Sequence, residues 1–162
     1  MLLRYIILCS FFYVSAALAG PCEAPPYRQF DFWVGNWQVS NTQNTNKSTS
    51  KISTINGGCT ILEEYATPTG FIGKSLNIYD VTSDQWHQTW TDNTGSLLRL
   101  DGQFDGTSMV LTGNTIDKTG KTNLNRITWT PNQDGTVRQL WEISEDKGKN
   151  WQVIFDGLYH KV

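Results

Sequence analysis

Four carboxylates, Glu63, Glu64, Glu142 and Asp156, lie in or beside apolar and aromatic stretches, and a carboxylate pair is what glycoside hydrolysis needs. Glu63 and Asp156 are the stronger candidates. Each sits between apolar or aromatic neighbours, where desolvation raises a carboxyl pKa toward that of a working acid or base. The plainer reading makes them solvent-facing members of half-buried strands, and Arg138 with Glu142 suits a surface or rim ion pair. His87 and His160 have no partner at metal-ligand spacing, and no C-x-x-C or H-x-x-x-H pattern occurs. A G-x-S-x-G elbow, a phosphate loop and a dinucleotide fingerprint are all missing. No catalytic residue, metal ligand or cofactor is therefore assigned. An enzyme acting through a barrel-mouth carboxylate, Glu63 or Asp156, is the alternative to a binding role.

Aromatic residues point more clearly to binding. The chain has seven Trp, six Tyr and seven Phe, and several stand two residues from a polar group, as in Trp86-x-Gln88-x-Trp90-x-Asp92 and Gln139-x-Trp141. In a strand, such residues share one face. An aromatic wall with a few polar groups lines small-molecule pockets; the plain alternative is that the tryptophans only fill a core. The predicted ligand-binding wall is Trp33, Trp37, Trp90, Trp129, Trp141 and Tyr159, with Gln88 and Arg126 orienting a polar group. Arg126 stands out because the rest of Asn123–Thr130 is neutral, although a surface cation would look the same.

The elements that must position these residues follow from the turns. Nine turn signals recur about every dozen residues: Asn41–Asn46, Asn56–Gly58, Pro68–Gly70, Asp80–Asp84, Asp92–Gly95, Asp105-Gly106, Asp117–Gly120, Asn132–Gly135 and Asp146–Gly148. They predict ten strands, over 32–40, 48–55, 59–66, 72–79, 85–91, 97–104, 107–113, 123–130, 136–143 and 151–160, with a short helical turn over Tyr27–Phe32. The fold class is all-β. Closure removes exposed edges, and the connections are too short for sandwich crossovers, so the expected architecture is an antiparallel up-and-down barrel. Leu98, Leu100, Phe104, Met109 and Leu111 form one apolar face, which simple hairpin pairing sets opposite Trp86 and Trp90; one bulge would reverse that.

Phe30-Asp31-Phe32-Trp33-Val34-Gly35-Asn36-Trp37 carries a Trp-x-Gly-x-Trp core that resembles the first strand of calycin-like (lipocalin-like) barrels. Over nearly its whole mature length the chain resembles a group of secreted bacterial proteins of unknown function with an FDFWxGxW opening. The shared stretches include Gly58-Cys59-x-Ile61-Leu62-Glu63 and Phe155-Asp156-Gly157-x-Tyr159. That resemblance implies a calycin-like barrel and transfers no catalytic residue. A more distant resemblance, to haem-holding nitrobindins, implies a histidine on a late strand. His160 is the candidate, but the glycine-rich continuation after the opening motif is lacking. Ser144–Trp151 matches the Asp-box of sialidase-like propellers; in a single copy it is expected to act as a turn staple.

Residues 1–19 read as a signal peptide, with Arg4, an apolar run from Tyr5 to Val14 and Ala17-Leu18-Ala19 as the cleavage site. A membrane-anchored N-terminus is the alternative; Pro21 before Cys22 argues against lipidation. Residues 20–162 then form one domain, periplasmic or secreted, with formal charge falling from −2 to −3 once Arg4 is removed. No basic stripe suggests nucleic acid or anionic lipid. The expected partner is a small molecule, with no membrane anchor after cleavage. Cys9 leaves with the leader, so Cys22 and Cys59 are expected to pair in an oxidising compartment.

Overall fold

The computed structural model describes residues 20, 22–42 and 47–162. The expected signal peptide and residues 43–46 of the first hairpin turn lie outside the described residues. Ten strands follow one short helix and a 3-10 turn: α1 Pro25–Arg28, Asp31–Trp33, then β1 Gly35–Asn41, β2 Lys47–Ile55, β3 Thr60–Ala66, β4 Ile72–Asp80, β5 Gln85–Asp92, β6 Leu97–Phe104, β7 Met109–Ile116, β8 Thr122–Pro131, β9 Val137–Ser144 and β10 Gln152–Lys161. Each strand pairs antiparallel with its sequence neighbour, and β1 pairs with β10, so the sheet closes into a barrel without an edge.

Most strand ends fall within one residue of expectation; the seventh strand runs three residues further, to Ile116, and two strand starts come later, each for a local reason. The first strand starts at Gly35, because Asp31–Trp33 turns in a 3-10 coil that carries the chain across the barrel end. The seventh starts at Met109, because the Asp105 carboxylate accepts the backbone N–H groups of Thr107 and Ser108 and holds them in the turn.

Register decides which faces agree, which the sequence left open. Trp90 lies across from Leu98 and Gln88 from Leu100, and Gly102 lies across from Leu111, so both sets point inward. Trp86, Leu98, Leu100, Met109 and Leu111 are all buried.

One end of the barrel is plugged by the N-terminal segment. Phe30 stacks on Trp33 at 5.0 Å and meets Trp86 and Trp129 edge-on at 5.5 and 5.2 Å. The Trp37 indole N–H donates to the Trp33 carbonyl. A Cys22–Cys59 disulfide ties this segment to the turn before β3, and Arg28 donates to the Gly58 carbonyl beside it. Such a crosslink fits an oxidising compartment. Trp33 and Trp129 are fully buried with their indole nitrogens unpartnered among the described residues, which marks this end as densely apolar.

Candidate ligand-binding cavity

The plug leaves the opposite half of the interior open. A cavity of about 320 Å³ runs from the middle of the barrel to the end framed by the β3–β4 and β5–β6 turns. Its rim is aromatic. Tyr65, Phe71 and Trp90 are mutually in contact, with Phe71 stacked on Trp90 at 6.4 Å, and Tyr65 also meets Phe155 edge-on. Trp141 and Ile127 complete the wall.

The strands explain how these groups arrive there. Gly73 lies beside Trp90, and a Cβ on it would sit 2.1 Å from the indole, so the absent side chain is what lets the ring lie across β4. Gly157 does the same for Phe155, whose ring lies 2.4 Å from the corresponding point. A register shift between Val153 and Phe155 inserts Ile154 as an extra residue, and both Ile154 and Phe155 reach the cavity.

The interior below this rim is two-sided. Inward positions of β6, β7 and β8 carry Leu98, Leu100, Met109, Leu111, Ile127 and Trp129. Inward positions of β2 to β5 carry Ser48, Ser50, Glu63, Ser75, Asn77 and Gln88, all buried. These polar groups form one donor chain: Gln88 donates to Asn77, Asn77 to Ser75, and Ser75 to a Glu63 carboxyl oxygen at 3.0 Å. Ser50 donates to the other Glu63 oxygen at 3.1 Å. The Tyr159 hydroxyl lies 3.4 Å from that same oxygen and also bonds to Gln139 Oε1. It reaches two oxygens with one proton, so both contacts are satisfied when Glu63 carries the second.

Glu63 is 2% exposed and has no cation as a partner among the described residues. Burial pushes its pKa up to about 7, against the lowering effect of hydrogen bonds from Ser75, Ser50 and Tyr159. Burial and the neighbouring Glu63 charge together raise the Tyr159 phenol well above its ordinary value. At the rim, burial works to raise Asp92, but bonds from Thr94, Trp90 and Ser96 outweigh it and hold the carboxyl low. Among the described residues lining the cavity there is no Lys, Arg or His.

Of the predicted wall, Gln88, Trp90, Trp141 and Tyr159 line the cavity. Trp33, Trp37 and Trp129 do not; the plug occupies the end of the barrel where they point, and they are core. Arg126 faces outward, bonding Glu142 across β8–β9 and stacking on Trp151 at 3.9 Å, because the inward parity of β8 belongs to Asn125, Ile127 and Trp129. Glu142 thus pairs with Arg126, and Arg138 forms a two-bond pair with Asp156 instead. Asp156 is on the outer face, held below the usual carboxylate range by Arg138, so it does not converge with Glu63. His160, next to Tyr159 and of opposite parity, is exposed, and does not face the cavity. Among the described residues no His, Cys, Asp and Glu cluster could hold a metal.

The residues that sequence reasoning left out include Tyr65, Phe71, Ile154 and Phe155, together with Ser50, Ser75 and, behind Ser75, Asn77. Ser48 and Ser50 alternate with exposed polar residues along β2, so no hydrophobic contrast marks its inner face. No protein-family model matches this chain, and no curated protein matches it in sequence.

Proposed function

We propose that this protein binds a small, partly apolar molecule in the open half of its barrel and does not catalyse its conversion. The observation that carries this reading is the aromatic-rimmed cavity of about 320 Å³ with a hydrogen-bonded polar floor. Such a volume lies at the low end of the range for small-molecule sites, roughly 300–1,000 Å³. The two-carboxylate hydrolase reading has lost its partner, since Asp156 lies outside the barrel in an ion pair. Haem bound through His160 has lost its ligand to the outer face, where that residue is exposed. Export, cleavage after Ala19 and kinship with the secreted barrel proteins it resembles belong to the same proposal. They fit the disulfide.

Intrinsic fluorescence tests it. Trp90 and Trp141 line the cavity, while Trp33, Trp37, Trp86 and Trp129 lie in the core. A bound molecule is expected to change emission and raise the melting temperature, and Trp90→Phe is expected to remove much of the optical response. Panels of lipids, aromatics, amines and sugars that move neither signal would refute a binding role.

A further inference from the structure

We infer that the ligand of this cavity is an organic cation, an ammonium group on an aromatic or short alkyl body, with the ammonium held against the Glu63 carboxylate. The inference rests on the binding role proposed above and adds the ligand's charge class. Three features of the site point the same way.

The first is the wall. Tyr65, Phe71, Trp90, Trp141 and Phe155 surround the upper cavity, and ring faces attract desolvated cations, more strongly as water is excluded. The second is charge. The lining carries two carboxyl groups, Glu63 at the floor and Asp92 at the rim, and no basic side chain among the described lining residues could accept an anion. The third is the unpaired state of Glu63. The other strand carboxylates in ion pairs have their cations on the outer surface: Glu64 with Lys74, Glu142 with Arg126, Asp156 with Arg138. Glu63 instead sits at the base of the cavity with hydroxyl donors only, so a buried charge there lacks a counter-ion among the described residues, and a ligand could supply one.

The donor chain from Gln88 through Asn77 and Ser75 points toward Glu63, which favours its charged form once a cation arrives. Without a ligand, burial favours the protonated form. Binding then proceeds with release of that proton to solvent. The groups facing Glu63 are Ser50 from β2, Ser75 from β4, Tyr159 from β10, Gln139 beside Tyr159, and Tyr65 on its own strand. Of these only the two tyrosines titrate, and both phenols are shifted upward. A non-titrating cation should therefore report Glu63 in the neutral range.

The test compares benzyltrimethylammonium and phenethylamine with neutral 2-phenylethanol and anionic 3-phenylpropanoate, by calorimetry on the processed protein. At pH 8 both cations are expected to bind at least tenfold tighter than the alcohol, and the carboxylate weakest. Affinity for benzyltrimethylammonium should rise about tenfold per pH unit below neutral and level off above about pH 8. Glu63→Gln should lower cation affinity tenfold or more, abolish the pH dependence and leave the alcohol within about threefold. Should that variant not fold, the pH profile of the unsubstituted protein decides alone. An alcohol that binds as tightly as the cations, or a flat pH profile, overturns the cation class and leaves the binding role standing. The cation class is likewise overturned if a wider panel yields a ligand and these cations do not bind. If nothing binds at all, both proposals fall together.

Discussion

Burial raises Glu63 from 4.5 to about 7 even though three hydroxyls contact its carboxyl group. An acid whose folded pKa lies above its unfolded value binds more protons in the native state, so stability falls as pH rises between those two values. Below about 4.5 the folded and unfolded states both hold the proton and no penalty exists; above about 7 the full penalty applies, about 3 kcal/mol. Glu63→Gln keeps the shape and removes the charge. At pH 8 the variant is expected to melt several degrees above the parent, and at pH 4.5 the two should coincide, as scanning calorimetry would show. Equal melting at both pH values would mean the carboxyl is not desolvated. Asp146 acts in the opposite sense. Backbone and side-chain bonds from Asn150, with help from Ser144 and Lys149, hold it at about 2, so its contribution is present above about 3.8 and is lost as pH falls toward 2. Glu63 was legible in the sequence as a carboxylate among apolar neighbours. Asp156 looked the same, and only strand parity separates them.

At the scale of elements, absent side chains shape the cavity as much as present ones. β4 crosses beneath Trp90 at Gly73, where a Cβ would fall 2.1 Å from the indole. The ring must therefore move in Gly73→Ala, and with it the Tyr65–Phe71–Trp90 contact. The variant is expected to lose about 1–3 kcal/mol, as overpacked sites do, and to bind any cavity ligand at least tenfold more weakly. Urea titration and fluorescence binding would check the two effects separately. The plug answers to the other rule. Phe30 touches Trp33, Trp86 and Trp129 and is fully buried, so Phe30→Ala should cost about 3–5 kcal/mol. Because the plug and the cavity occupy opposite halves of the barrel, that loss should appear in urea titration while ligand affinity below the midpoint stays near its parent value. The Ser144–Trp151 turn shows a motif keeping its local role: Asp146 accepts the Lys149 and Asn150 amides, and the Trp151 indole donates to the Gly148 carbonyl.

For the molecule as a whole, closure and one crosslink do what a larger core would do elsewhere. The Cys22–Cys59 bridge spans 37 residues and ties the plug to the barrel wall. In the chain-entropy model such a loop is worth about 4 kcal/mol, a large share of the stability of a domain this size. Reduction is expected to lower the urea midpoint correspondingly and to loosen the plug first, which amide exchange of Phe30–Trp33 would reveal. Mass spectrometry of exported protein should find an N-terminus at Gly20 and no alkylatable thiol before reduction. Two free thiols in the native protein would show that the crosslink does not form.

What the sequence determined by itself was everything set by short-range rules. Turn signals about every dozen residues dictated ten strands, connections too short for crossovers dictated an antiparallel meander, and Cys22 and Cys59, the two cysteines outside the expected leader, were expected to pair. Local rules are legible because φ > 0 turns and period-two alternation need only neighbouring residues. Which face lies inside was a different matter. Side-chain parity passes from strand to strand through each turn, so a single misjudged connection, such as the one that brings Trp90 opposite Leu98, reverses every assignment beyond it. The polar half of the interior compounded this, since Ser48 and Ser50 offer no contrast with the exposed residues between them. Tertiary structure alone decided that Glu63 faces in and Asp156 out, and that Trp33, Trp37 and Trp129 belong to the plugged core. It also left the open half to Tyr65, Phe71, Trp90 and Trp141. The reasons are physical: parity depends on register carried from strand to strand, and the split between core and cavity depends on which end of the closed barrel the N-terminal segment fills, and no window along the chain contains either.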